Sequence, residues 1–229
     1  KDYAATRALA RPAHADYTAF CKYHGFEDYR GGGHFSGRLT APLVAAGAIA
    51  QSALKSKGIF IGTHIKRCAG IADAEFNDIA KDIEALENKQ FGVLNDERGE
   101  LMKAAIVQAA NEGDSVGGVL ETAVLGLPAG VGEPWFDSLE STLAHILFSI
   151  PAVKGVEFGA GFGIADMQGS RANDSFYTEG GIIRTKTNNN GGINGGISNG
   201  MPIIVRCAIK PTPSIYKKQD TVDFLKGEN

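Results

Sequence analysis

Thr40 to Cys68, reading TAPLVAAGAIAQSALKSKGIFIGTHIKRC, carries the two periodicities from which the architecture is read. Thr40 is suited to cap a helix, and Pro42 just inside it lacks only an amide that would be unpaired there. Leu43, Val44, Gly47, Ile49 and Leu54 follow at helical spacing for about four turns, and Gly58 ends the run. Ile59, Ile61, Thr63 and Ile65 then alternate, so the chain passes from the helix into a strand reaching Cys68, with His64 on the opposite face.

Working outward, the same succession of helix and strand is expected over 97 to 125 and 138 to 159. Asp73 reads as the cap of a helix carrying Phe76, Ile79, Ala80, Ile83 and Leu86, whose many charges make it an exposed excursion. Asp96 opens another helix with Leu101, Ala105, Ile106 and Ala109, and a strand follows over 116 to 125. Asp137 or Ser138 starts a helix with Leu139, Leu143, Ile146 and Leu147, stopped by Pro151. Strands are expected near 153 to 159, 164 to 169 and 202 to 210, with a polar loop from Ser170 to Asn190 and another loop over 11 to 39. Short glycine turns join strands as well as helices, which favours an α+β fold with antiparallel sheets over a doubly wound parallel one.

The 229 residues, 43% hydrophobic and 21% charged, provide for a substantial core in one domain. No apolar run approaches the ~20 residues of a membrane span. Cys21, Cys68 and Cys207 are odd in number and lack CxxC spacing, so a reducing cytoplasm suits them and neither a disulfide framework nor a zinc site is indicated. His14, His24, His34, His64 and His145 show no metal-ligand spacing, and His145 reads as a helix-packing residue. A net charge of −3 argues against nucleic acid as a partner, yet Arg7, Arg11, Lys22, Arg30 and Arg38 gather positive charge near the amino end, which fits a small polyanion. Neither GxGxxG nor GxxxxGK[ST] occurs; Gly159, Gly161 and Gly163 fall one residue short of the first.

The polar chemistry concentrates in Arg11 to Thr40, RPAHADYTAFCKYHGFEDYRGGGHFSGRLT. Gly31, Gly32 and Gly33 allow a ligand close to the backbone, and an ordinary surface loop before a capped helix is the plainer reading of the same residues. This stretch resembles chorismate synthase, whose signature runs approximately RP-small-HADY, KYG and DYRGGGRSSARET. Further blocks similar to that family recur in order: GDSVGG at 113 to 118, PAGVGEP at 128 to 134, SIPAVKGVEFG at 149 to 159, NNGGINGGISNG at 189 to 200 and KPTPSI at 210 to 215. The departures are His34 and Leu39 in place of Arg and Glu, Phe35 in place of the first Ser, and an inserted His24.

The resemblance implies a β-α-β sandwich, a helical layer between two antiparallel sheets, as a single core domain. It implies a carbon-oxygen lyase that converts 5-enolpyruvylshikimate-3-phosphate to chorismate by 1,4-elimination of phosphate, with reduced FMN not consumed overall, in cytoplasmic homotetramers of the shikimate pathway. Flavin reduction by a separate reductase and by a built-in NADPH-dependent activity both stay open. By residue match, Arg11 and Arg38 would contact substrate and His14 would handle the proton at the flavin ring. Asp16, two residues on, can orient that imidazole or raise its pKa. The flavin contacts map onto His34, Phe35, Ser36, Pro151, Ala152, Gly195, Lys210, Pro211, Thr212, Pro213 and Ser214. Lys210, Thr212 and Ser214 would face one way if the strand extended through them. The family's GESHG and GRHDP blocks are absent from these residues, so the sequence is expected to be a piece truncated at both ends and inactive alone. A scaffold that binds ligand without catalysis is the alternative, separated from the enzyme by whether those blocks flank the piece.

Overall fold

A computed structural model describes residue 3 and residues 6–228. Its centre is a five-stranded antiparallel sheet in the order β2-β1-β3-β9-β4. The strands are β1 (Phe60–Cys68), β2 (Ile71–Ala72), β3 (Gly118–Leu125), β4 (Val153–Phe158) and, last in the chain, β9 (Ile203–Ile209). The helices are α1 (Asp16–Tyr23), α2 (Thr40–Lys55), α3 (Ile79–Leu86), α4 (Asp96–Asn111), α5 (Leu139–Ser149) and the single turn α6 (Gly169–Ala172). Two small hairpins, β5 (Phe176–Glu179) with β6 (Ile182–Thr185) and β7 (Ile193–Asn194) with β8 (Ile197–Ser198), stand apart from the main sheet. This is the α+β, antiparallel architecture expected from the sequence.

The passage from α2 into β1 forms as its periodicity requires, although Thr40 does not cap α2: Leu39 holds that position and the Thr40 hydroxyl donates to the Gly37 carbonyl at 2.8 Å. Ser138 caps α5 by accepting the amide of Ser141 at 3.0 Å. The stretch after β1 differs from expectation. α3 begins at Ile79 and is capped by Asp78, not by Asp73. Nor is the segment an exposed excursion: Ile83, Leu86 and Val93 are buried, and a Cβ on Gly62 would lie 2.7 Å from Ile83 Cγ1, so α3 sits directly on β1. Val93 and Met102 close a small core against Cys68. The residues expected to form a strand near 164 to 169 are a 3-10 turn running into α6, and the expected polar loop of 170 to 190 contains the β5–β6 hairpin. His145 is exposed on α5, not packed.

Asp73 has a different duty. It is buried, and its carboxylate accepts the amides of Leu94 and Asn95 at 2.6 and 2.9 Å and meets His64 Nδ1 at 2.8 Å. His64 heads a row of paired residues across four strands, His64 opposite Glu121, Glu121 opposite Arg206 and Arg206 opposite Glu157. His64 Nε2 lies 3.1 Å from Glu121 Oε1, and Arg206 Nη1 lies 2.9 Å from Glu121 Oε2. Burial alone would raise the pKa of Glu121, but His64, Arg206 and Lys66 outweigh it and hold the carboxyl at about 2. Buried charges are tolerated only when paired, and here each has a partner on the next strand.

α2 contacts β1 and α5 contacts β4, but neither helix contains a buried residue. Val44, Ile49 and Ile146 are 69%, 75% and 54% exposed, so the helices present apolar side chains to solvent where the resemblance implies a second sheet. Among the described residues no second large sheet is formed.

Candidate functional site

The Arg11 to Tyr23 segment is a turn followed by α1, not the continuous loop read from the sequence. Asp16 lies in the helix's first turn and Lys22 in its last, each complementing the local end of the helix dipole. Ala19 is buried, and Phe20 and Tyr17 pack on Phe224 with ring centroids 5.0 and 5.9 Å apart. The chain leading into this turn is held by the carboxy-terminal segment: Ala10 donates to Val222, Phe224 donates to Ala8, and Thr221 Oγ1 donates to Ala10 at 2.6 Å. Sequence-distant ends therefore meet beside His14.

The second wall is the stretch after β9. That strand ends at Ile209, so Lys210, Thr212 and Ser214 do not continue it and the expected period of two does not apply. Instead the stretch folds against GDSVGG. Ser115 Oγ donates to the Thr212 carbonyl at 2.7 Å, Tyr216 N donates to the Gly113 carbonyl at 2.9 Å, and Lys217 Nζ reaches Asp114 at 2.7 Å. Gly117 is required here because a Cβ would come 2.6 Å from the Ile209 carbonyl oxygen and 3.0 Å from Pro211 Cδ. Anchored on one side, the stretch reaches across to the His14 turn on the other. Lys210 Nζ donates to the Ala13 carbonyl at 2.8 Å, Ser214 Oγ lies 3.2 Å from His14 Nε2, and Lys210 N donates to the Ala152 carbonyl at 3.0 Å.

Four blocks thus converge: His14, Ala152, Lys210 and Ser214 are neighbours, with GDSVGG behind them. Pro151 is exposed beside Ala152, and Pro211, Thr212 and Pro213 lie on the converging stretch. His34, Phe35 and Arg38 are exposed on two short 3-10 turns ahead of α2, where the Ser36 hydroxyl accepts the Arg38 amide at 3.4 Å. None of them makes a hydrogen bond to the His14 turn among the described residues. Gly195, at φ +61°, turns the β7–β8 hairpin with open space before it and likewise makes no hydrogen bond to that turn.

The electrostatics of the turn depart from expectation. Asp16 receives the backbone amide of Arg11 at 3.1 Å and its Nε and Nη2 at 2.8 and 2.7 Å, a bidentate pair of complementary shape. Burial would raise the Asp16 pKa, but the Arg11 hydrogen bonds lower it, while those same bonds raise Arg11. Asp16 therefore holds Arg11 and does not orient His14. The His14 pKa is lowered, first by burial, then by Arg11, with Asp16 opposing and Lys210 adding to the fall. A ring so placed is neutral at pH 7 and can accept or pass a proton.

Residues 1–229 match the family model described as chorismate synthase. This chain belongs to the chorismate synthase family. It is 50% identical to the chorismate synthase of Dehalococcoides mccartyi strain BAV1 over 225 residues, covering 97% of this chain and 61% of that protein. The chorismate synthase of Thermococcus kodakarensis is 47% identical over 227 residues, covering 99% of this chain and 62% of the relative. A crystal structure of chorismate synthase superposes with a TM-score of 0.77 at 32% identity, over 86% of this chain and 63% of the other. The chain therefore spans about three fifths of the length of these chorismate synthases.

The buried ladder is the feature that reading for chorismate synthase motifs passed over. Glu121 and Arg206 lie inside apolar strands, and a charged residue in such a run is the signal that could have found them. Among the described residues no cluster of three or more His, Cys, Asp or Glu has a metal-holding arrangement, and no helix is long and apolar enough to cross a membrane.

Proposed function

We propose that the protein containing this chain is a chorismate synthase, eliminating phosphate from 5-enolpyruvylshikimate-3-phosphate in a 1,4 sense with reduced FMN bound. The observation that carries this reading is the convergence of His14 with Lys210 and Ser214, which are 197 residues from Ala13 and 200 from His14. Those blocks carry the chorismate synthase signature, and their meeting at one turn is what a shared site requires.

The donor set fits an anionic cofactor. Thr212 and Ser214 are exposed and Lys210 is half-buried beside them; an ammonium with the Thr212 hydroxyl matches the oxygens of a phosphate, while the Ser214 hydroxyl lies against His14. Lys210, Thr212 and the Pro151-Ala152 turn would hold FMN from this side, with His34, Phe35, Ser36, Gly195 and Ser214 as its further contacts. Reduced flavin supplies an electron-rich ring beside the bonds that break. The chain's own part is to bind and to handle protons. Arg11 and Arg38 would bind the substrate's phosphate and carboxylates, Arg11 exchanging part of its pairing with Asp16 for substrate oxygens. That exchange is inexpensive, since the Arg11 side chain is 42% exposed and partly exposed ion pairs contribute about 0–1 kcal/mol. His14, neutral at pH 7, would accept or return the proton at the ring, assistance that typically contributes ~10²–10⁴-fold. The whole enzyme would be a cytoplasmic homotetramer served by a reductase or by its own NADPH-dependent activity.

Anaerobic titration with reduced FMN tests the reading. Lys210→Ala should weaken binding by about 1.5–3 kcal/mol, the cost of a lost charged hydrogen bond. Equal affinity in the two proteins removes Lys210 from the cofactor site.

A further inference from the structure

His14 follows Ala13, a non-glycine residue in the left-handed region at φ +59°. Such a residue persists only where its surroundings hold it, and here the Lys210 ammonium grips the Ala13 carbonyl. Among the described residues the imidazole hydrogen-bonds one side chain, Ser214, and Ser214 forms no other side-chain hydrogen bond. One contact fixes the peptide before the ring and the other fixes the ring. Both come from the stretch braced by Asp114, Ser115 and Gly117.

We propose that Ser214 is a positioning residue for His14: its hydroxyl donates to Nε2, so that the neutral ring carries its proton on Nδ1 and holds the Nε2 lone pair toward the 210–217 stretch. The charged groups facing the ring are Arg11 and Asp16 on its own segment and Lys210 from that stretch. Burial first, and then the two cations against the one carboxylate, favour the neutral ring, which is the state that a donating hydroxyl stabilises. The hydroxyl has one proton, so in this role it serves the ring and leaves Lys210 and Thr212 to donate to a cofactor phosphate. It rests on the reading of His14 as the group that handles a proton in the reaction.

The contact is tested without substrate or flavin, by long-range proton–nitrogen correlation spectra of the 15N-labelled 229-residue chain through a pH titration. The wild-type ring should be the Nδ1–H tautomer, with Nε2 as an acceptor. Ser214→Ala should move the ring toward Nε2–H and raise its titration midpoint by about half a unit, because a hydrogen bond to the neutral form is lost. Ser214→Thr keeps a hydroxyl and should retain the wild-type midpoint. An Nε2–H ring in the wild type, or an unmoved midpoint in Ser214→Ala, overturns the proposal, and the wild-type spectrum decides even if the variant does not fold. In a full-length enzyme carrying this chain, the limb of the pH–rate profile that disappears in His14→Ala should shift with Ser214→Ala. A moved ring with an unmoved rate profile removes His14 from the proton chemistry, a failure of the functional reading and not of the contact.

Discussion

Asp16 sits two residues from His14, and its charge favours the imidazolium, yet the ring's pKa falls. Two facts decide the balance. The ring is partly buried, and Asp16 spends both carboxylate oxygens on Arg11, leaving an arginine charge and the Lys210 charge to act on the imidazole. Asp16→Asn removes the one raising influence and releases Arg11 from its partner, so the His14 midpoint should drop further below its ordinary value. A titration of the two proteins by NMR measures this directly; a midpoint that rises in Asp16→Asn would mean that the carboxylate acts on His14 through something other than charge. Sequence spacing alone invited the opposite expectation. The two-residue separation of Asp16 and His14 is visible in the chain, whereas the bidentate grip on Arg11 depends on the turn that brings the arginine back over the helix start.

At the scale of elements, β1, β3 and β9 read correctly because each alternates or runs apolar over seven or more residues. The β5–β6 hairpin was missed for a physical reason: seven of its eight strand residues are exposed, so burial imposes no alternation on Phe176–Glu179 and little on Ile182–Thr185. The signal lay in the turn. Gly180 and Gly181 have φ of +58° and +81°, the backbone that a two-residue hairpin demands. Asp73 was misread because a carboxylate before a helical pattern resembles a cap, while its use by Leu94 and Asn95 lies about twenty residues on. The ladder through Glu121 makes a test of its own. With its carboxyl held at about 2 in the fold and at an ordinary 4.5 when unfolded, its contribution is fully present above 4.5 and is lost as pH falls toward 2. That difference is worth roughly 3 kcal/mol. Urea midpoints should therefore fall between pH 5 and pH 2.5, and Glu121→Gln should show a shallower fall. At pH 7 the same variant should lose about 1.5–3 kcal/mol, the cost of a lost charged hydrogen bond, since Arg206 keeps Glu157 and His64 keeps Asp73. An unchanged midpoint at neutral pH would show the ladder to be energetically silent.

Burial in the whole molecule is uneven among its elements. Ile83 in α3, Met102 in α4, Ile193 in the glycine-rich stretch from 189 to 200 and Ile203 in β9 are buried, while α2 and α5 contain no fully buried residue. The candidate site depends on the better-packed elements, since the 210–217 stretch is anchored by GDSVGG between α4 and β3. The exposed faces of α2 and α5 should therefore tolerate change that the packed elements do not. Ile49 and Ile146, 75% and 54% exposed, can be replaced together by lysine. The urea midpoint of the 229-residue chain should move by no more than ~0.5 kcal/mol, as for ordinary surface substitutions. Self-association and binding of a hydrophobic dye should both fall, because contiguous apolar surface is what drives them. Sedimentation and dye fluorescence on the wild-type and double-lysine chains measure the two effects alongside the midpoint. A loss of several kcal/mol would mean that these side chains are covered in solution, and the reading of α2 and α5 as open faces would have to be abandoned.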